Sequence, residues 1–266
     1  MSSLWCLPWT GLADRRTVRP APTAFALATT PATQHRATMP QPLRLALFDC
    51  DGTLVDSQHA IVDSMVQAWR THGLGEPDAL AVRRVVGLPL VQAIAVLLPG
   101  QDTVRHVAVA ETYKDAFATR RQRGVVEEPL FPGIVETLDR LEAAGVLLGV
   151  ATGKSRRGLL SVLERHGLMQ RFVTLQTSDI GPGKPNPDMV YRALSETGAP
   201  AHGTVMIGDT TYDIQMARNA RIASVGVSWG YHEVPELTAA GADRIVDTGA
   251  AVAPAVLDLL EDAEAF

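Results

Sequence analysis

Cysteine is nearly absent: Cys6 and Cys50 are the two in 266 residues. Two thiols this far apart form neither a metal-binding pair nor a disulfide framework, which points to a reducing compartment, the cytoplasm. The seven histidines are scattered. They form no H-x-x-x-H pair and no Cys/His cluster, so a zinc site has no support. No run approaches the roughly 18 apolar residues needed to span a bilayer, which argues against a membrane partner. There is no basic stripe, and the net charge is -5, so general nucleic-acid binding is excluded as well. What is present is 46% apolar and 20% charged residues, the balance of a globular chain with a sizeable core.

Acidic residues are also scarce in one stretch. Residues 1–38 are rich in Thr, Ala and Pro and carry Arg15, Arg16, Arg19 and Arg36, but Asp14 is their one acid. That bias resembles an organelle transit peptide, without the continuous apolar core of a secretory signal. The plainer expectation is a disordered tail, or a start placed upstream of Met39, which directly precedes the first clear strand.

From residue 44 the pattern turns to α/β. Short β-rich apolar runs stand at Leu45–Phe48, Val146–Ala151, Phe172–Leu175, Thr204–Ile207 and Ile222–Val227. Helix-period stretches lie between them, closed by Gly145, Gly167 and Gly198, since glycine takes the left-handed stop conformation cheaply. Strand–helix alternation predicts a doubly wound parallel, Rossmann-like sheet with right-handed crossovers. Residues 57–128 interrupt it. They hold no convincing strand and read as helices over 58–72, about 78–86, 89–98 and 103–122. Some 70 helical residues are too many for a crossover. The expected organisation is therefore an α/β core of residues 39–56 and 131–266, with an inserted all-helical cap over 57–130. The expected linkers are Val55–Ser57 and Leu130–Gly133.

The first strand runs into Asp49-Cys50-Asp51-Gly52-Thr53. Ligands of open parallel sheets bind at the carboxyl ends of the strands, so both carboxylates can face one site. Asp-Gly alone is a common turn dipeptide. The whole segment 45–57, however, resembles the D-x-D-G-[TS] nucleophile motif of the haloacid dehalogenase superfamily. The other motifs of that family follow in order. Thr152 follows the strand that stops at Ala151, Lys184 stands in Gly183-Lys184-Pro185-Asn186-Pro187, and Gly208-Asp209-Thr210-Thr211-Tyr212-Asp213 follows the run ending at Ile207. The resemblance covers about residues 43–249.

The resemblance implies a magnesium-dependent phosphatase that forms an aspartyl phosphate on Asp49. Asp51 would protonate the leaving oxygen and later deprotonate water. Mg2+ would be held by the Asp49 carboxylate, the Asp51 backbone carbonyl and the Asp209 carboxylate, with Asp213 supporting from one helical turn away. Thr152, Gly153 and Lys184 would bind the phosphoryl oxygens, with Lys184 also holding Asp49. The expected partner is a small phosphorylated metabolite. Arg83-Arg84-Val85-Val86-Gly87-Leu88-Pro89 resembles the cap substrate loop of phosphoglycolate phosphatases, so 2-phosphoglycolate is the leading substrate. Arg83 or Arg84 would then clamp its carboxylate.

Several rival readings exist. Asp51 argues against a dehalogenase and, with Lys114 the lone lysine of the helical block, against a phosphonate hydrolase. A sugar phosphomutase would keep all four motifs. Outside the family, Gly149-Val-Ala-Thr-Gly153-Lys154-Ser155 nearly spells a nucleotide-binding P-loop, with one residue too few between the glycines.

Overall fold

The structure is a computed structural model and describes residues 42–264. Residues 1–38, with their expected tail, lie outside that range.

Six parallel strands form one sheet: β1 (Arg44–Phe48), β2 (Val146–Thr152), β3 (Phe172–Thr177), β4 (Thr204–Gly208), β5 (Ala223–Val227) and β6 (Arg244–Val246). Their spatial order is β3-β2-β1-β4-β5-β6. The chain thus winds outward from β1 in one direction and then, from β4, in the other. The reversal point lies between β1 and β4, where doubly wound sheets open a crevice at the strand ends. Helices cover both faces. They include α5 (Ile134–Ala143), α6 (Arg156–Arg165), α7 (Asp188–Thr197), α8 (Thr211–Ala220), α9 (Val234–Ala240) and α10 (Gly249–Glu264).

The central strands are buried on both faces. Leu45 and Leu47 point into one apolar cluster, Ala46 and Phe48 into the other. This is why they read as continuous apolar runs rather than as alternating ones. Cys50 belongs to the Phe48 cluster and is fully buried.

Four helices stand between β1 and β2: α1 (Gln58–Thr71), α2 (Ala79–Arg84), α3 (Leu90–Leu97) and α4 (Thr103–Gln122). Ile61, Met65, Ala68 and Trp69 of α1 fall on one face at helical spacing. They pack with Ile94 of α3 and with Val109 and Phe117 of α4 in a separate apolar cluster. Asp78 and Asp102 cap α2 and α4 by accepting from Leu80 N and Arg105 N, which fixes where each helix starts. The two segments that join this block to the sheet lie side by side. Val55 bridges Leu130 antiparallel, Asp56 N donates to Pro129 O, and Phe131 N donates to Leu54 O.

Several details differ from the sequence expectation. The last helical turn before β5 ends on Arg221 in the left-handed region (φ 57), and Ile222 N still bonds Ala217 O. Ile222 therefore closes the helix, and the strand starts at Ala223. β3 runs on to Thr177, through polar residues that alternation did not mark. β6 and α10 were not anticipated. β6 is three residues long, and Pro254 interrupts the α10 pattern.

Candidate active site

Asp49 follows β1 directly and is held by its own N–H, which donates to Ile207 O of β4 at 2.9 Å. Asp209 follows β4. Both therefore stand at the reversal point, one from each of the two central strands. Asp213 sits in the first turn of α8 and closes a capping box with Thr210. These three carboxylates are buried and offer oxygens within 4.8 Å of one another.

One ammonium enters this cluster. Lys184, fully buried, places Nζ 2.8 Å from Asp49 Oδ1 and 2.6 Å from Asp213 Oδ1. These are ion-pair distances without directed hydrogen bonds: the three atoms have no partner of good hydrogen-bond geometry. Three carboxylates against one ammonium leave a formal excess of two negative charges. Asp209 is satisfied by Thr53 Oγ1 at 2.8 Å and Tyr231 N at 2.9 Å. Asp213 Oδ2 accepts from Thr210. Asp49 Oδ2 is buried without a hydrogen-bond partner. A buried carboxylate oxygen in that state is costly. Burial pushes the Asp49 carboxyl up to about 6, against the pull of Lys184. Burial and the neighbouring Asp49 and Asp213 raise Asp209 as well. An oxygen-only donor set, an orphaned oxygen and a deficit of two charges fit one hard divalent cation.

Asp51 faces a different partner. Its Oδ1 accepts from Ser57 Oγ at 2.5 Å and from Lys154 Nζ at 2.7 Å. The same ammonium lies 3.0 Å from Glu128 Oε1, and Glu128 is also bound by Arg121 at 2.9 Å. Burial costs the Lys154 ammonium, but Asp51 and Glu128 more than offset that and hold it charged well above the usual lysine range. Lys154 and Glu128 were missed by sequence reasoning. Lys154 figured only in the P-loop reading, and Glu128 sits in a loop without any motif.

That P-loop reading fails on geometry. Gly149 lies within β2 with Leu47 and Thr174 packed against it, so no loop starts there to wrap phosphates. Ser155 is occupied as the cap of α6.

Thr152 ends β2, is buried, and accepts from Lys154 N at 3.2 Å. Gly153 is needed for contact: a Cβ there would fall 2.7 Å from Gly87 O, on the turn between α2 and α3. Gly183, beside Lys184, is likewise pressed by Pro89. The helical block is thus seated on the loops that carry Thr152 and Lys184. Between block and sheet lies a cavity of about 470 Å3, lined by Asp49, Asp51, Thr152, Gly153 and Lys154 on the sheet side.

The two arginines expected to clamp a substrate carboxylate are not among the cavity's lining residues. Arg84 pairs with Glu236 of α9, and its carbonyl accepts from Tyr212 and His232. Arg83 reaches Gln58 at 3.3 Å. Arg84 fastens the block to α9 from outside, whereas Arg83 bonds within the block, to α1; α2 turns its buried Val82 inward and its basic C-terminal turn outward. Lys114 lines the cavity and pairs with Glu111. No helix among the described residues is long and apolar enough to cross a membrane.

Residues 46–227 match the family of haloacid dehalogenase-like hydrolases. The chain is 38% identical over 222 residues to Probable phosphatase IndB of Dickeya dadantii, covering 82% of this chain and 95% of that one. It is 32% identical over 222 residues to the phosphoglycolate phosphatase of Agrobacterium fabrum, covering 81% and 93%. Among solved structures, a predicted phosphatase from Clostridium acetobutylicum is similar with a TM-score of 0.75 and 26% identity, over 82% of this chain and 100% of that one. With the family matched over most of the chain and relatives named phosphatase and phosphoglycolate phosphatase, the chain belongs to the haloacid dehalogenase-like hydrolase family, as a phosphatase whose sequence is phosphoglycolate phosphatase-like.

Proposed function

We propose that the chain is a magnesium-dependent phosphomonoesterase that works through an aspartyl phosphate on Asp49 and acts on a small phosphorylated metabolite. The observation that carries this reading is the orphaned oxygen of Asp49. It is buried among Asp209, Asp213 and Lys184 at the reversal point of the sheet, beneath a cavity.

Asp49, Asp209 and the backbone carbonyl of Asp51 are the proposed holders of Mg2+. When bound, the ion neutralises charge on the attacking carboxylate and on the phosphoryl oxygens. Asp213 keeps Lys184 in place, and Lys184 in turn orients Asp49 and meets a phosphoryl oxygen as a point charge. Thr152 and the Gly153 N–H donate to the other phosphoryl oxygens. The Asp49 carboxylate attacks phosphorus, and the ester P–O bond breaks. Asp51 gives its proton to the leaving alkoxide. Asp51 then takes a proton from water, which attacks the aspartyl phosphate and frees inorganic phosphate. Lys154 and Ser57 fix the Asp51 side chain between these two transfers. The helical block is read as a cap over residues 57–130. Seated on the Gly153 and Gly183 loops, it excludes bulk water during the covalent step.

Relatives named phosphoglycolate phosphatase make 2-phosphoglycolate the first compound to test. The arginine clamp expected for its carboxylate is not part of the proposal, since Arg83 and Arg84 lie away from the cavity. The test is turnover of a panel of phosphorylated metabolites by purified protein with Mg2+. Excess chelator should abolish it. Asp49→Asn should lower it by at least about a thousandfold with the melting temperature retained. Undiminished turnover in either case would refute the reading.

A further inference from the structure

The cavity above Asp49 is larger and more apolar than a two-carbon acid phosphate requires. At about 470 Å3 it lies within the range of about 300–1,000 Å3 that takes drug-sized ligands. Its walls are not uniform. The sheet side carries Asp49, Asp51 and Thr152, whereas the helical side presents Met65, Val82, Val86, Leu88, Tyr113 and Phe117. The Tyr113 and Phe117 rings stand 6.0 Å apart at a tilt of 44°, with Arg121 and Lys154 lying 4.9 and 5.3 Å from the Phe117 ring centre.

A second anionic group would find little waiting for it on the helical side. Arg121 is held by Glu128 and Lys114 by Glu111, while Lys154 on the sheet side is shared by Asp51 and Glu128. Arg157 is the lining cation without an ion pair among the described residues, and it is exposed on α6. An apolar wall of this extent gains most from a ligand that displaces water from it.

We propose that the ester cleaved here carries a ring-sized, largely apolar group on its alcohol side. The ring packs against Tyr113 and Phe117 while the phosphate rests on Asp49. This rests on the phosphomonoesterase reading and narrows its substrate class away from small dianionic acids.

The test compares benzyl phosphate, ethyl phosphate and 2-phosphoglycolate with the full chain and Mg2+. Benzyl and ethyl alcohols are similar leaving groups, so a difference between their esters reports the pocket. The expected kcat/KM for benzyl phosphate exceeds the other two by about tenfold or more, the discrimination that even one buried methylene can give. Ala118→Phe should fill the space beside Phe117 and bring the benzyl-to-ethyl ratio within about threefold. Val91→Phe serves the same purpose from α3 if the first variant melts early. Equal or better turnover of 2-phosphoglycolate would overturn this inference and leave the phosphatase reading standing. A benzyl preference that survives both filled variants would also overturn it. Hydrolysis of none of the three esters would likewise overturn this inference, while the phosphatase reading stands or falls on the metabolite panel.

Discussion

Replacing Lys184 by Met removes the one cation from a cluster of three buried carboxylates while keeping a similar volume. Lys184 is fully buried and lies 2.8 Å from Asp49 and 2.6 Å from Asp213. Solvent therefore does not screen the loss. Removing one member of a buried ion pair costs about 3–5 kcal/mol, because the remaining charge is left uncompensated. For a domain of this size each kcal/mol shifts the melting temperature by about 2–4 °C, so a fall of about 6–20 °C is expected at pH 7.5. The loss must depend on pH. Asp49 is held up at about 6 by burial, with Lys184 pulling against that rise. Without the lysine its proton is kept still longer. At pH 5 Asp49 is mostly neutral and the unpaired charge is smaller, so the fall in melting temperature should shrink. Adding Asp213→Asn removes one orphaned charge, and the asparagine oxygen can still accept from Thr210. The double variant should recover at least half of the loss. The assay is thermal denaturation in chelator at both pH values. A fall below 2 °C at pH 7.5, or one equal at both pH values, would refute this account of the cluster.

Three other outcomes follow from the same geometry. The Asp49 pKa is raised, so its contribution to stability is full below about 4 and is lost as pH rises through about 6, worth about 3 kcal/mol at 1.36 per unit. A divalent cation reverses that loss, so Mg2+ should raise the melting temperature more at pH 7.5 than at pH 5, with proton release in calorimetry at the lower pH; Asp209→Asn should abolish the effect. Gly153→Ala drives a Cβ against Gly87 O and should loosen the seat of the helical block. Its kcat/KM is expected to fall about ten- to a hundredfold with about 1–3 kcal/mol of stability lost, measured by steady-state kinetics and denaturant unfolding. Lys154→Met leaves Glu128 its Arg121 partner but deprives Asp51 of its cation. The expected result is a kcat loss of at least about tenfold with little change in KM, as for a group that acts during proton transfer.

The parts of the fold legible in sequence are those with strong local signals. The central strands announce themselves as apolar runs because both faces are buried, and the helices end at glycines that the structure places in the left-handed region. β6 and α10 carry weaker signals: three residues show no period, and Pro254 breaks a helical one. At the site, Asp49, Asp209, Asp213 and Lys184 were named from ordered motifs, and the structure brings them together. The Lys154–Glu128 pair was not named, since it joins residues 26 apart from a strand end and an irregular loop. The direction of Arg83 and Arg84 was not legible either. Sequence placed them near a turn, but only tertiary packing decides which side of α2 faces the cavity.

The central claim is a covalent phosphoryl group on Asp49. It is tested most directly by acid-quenching the enzyme during turnover with Mg2+ and locating the added phosphoryl mass by peptide mass spectrometry. The adduct is expected on the peptide containing Asp49, at higher occupancy in Asp51→Asn, where its hydrolysis is slowed, and absent from Asp49→Asn. A phosphoryl group on another residue, or steady turnover by Asp49→Asn without any adduct, would contradict it.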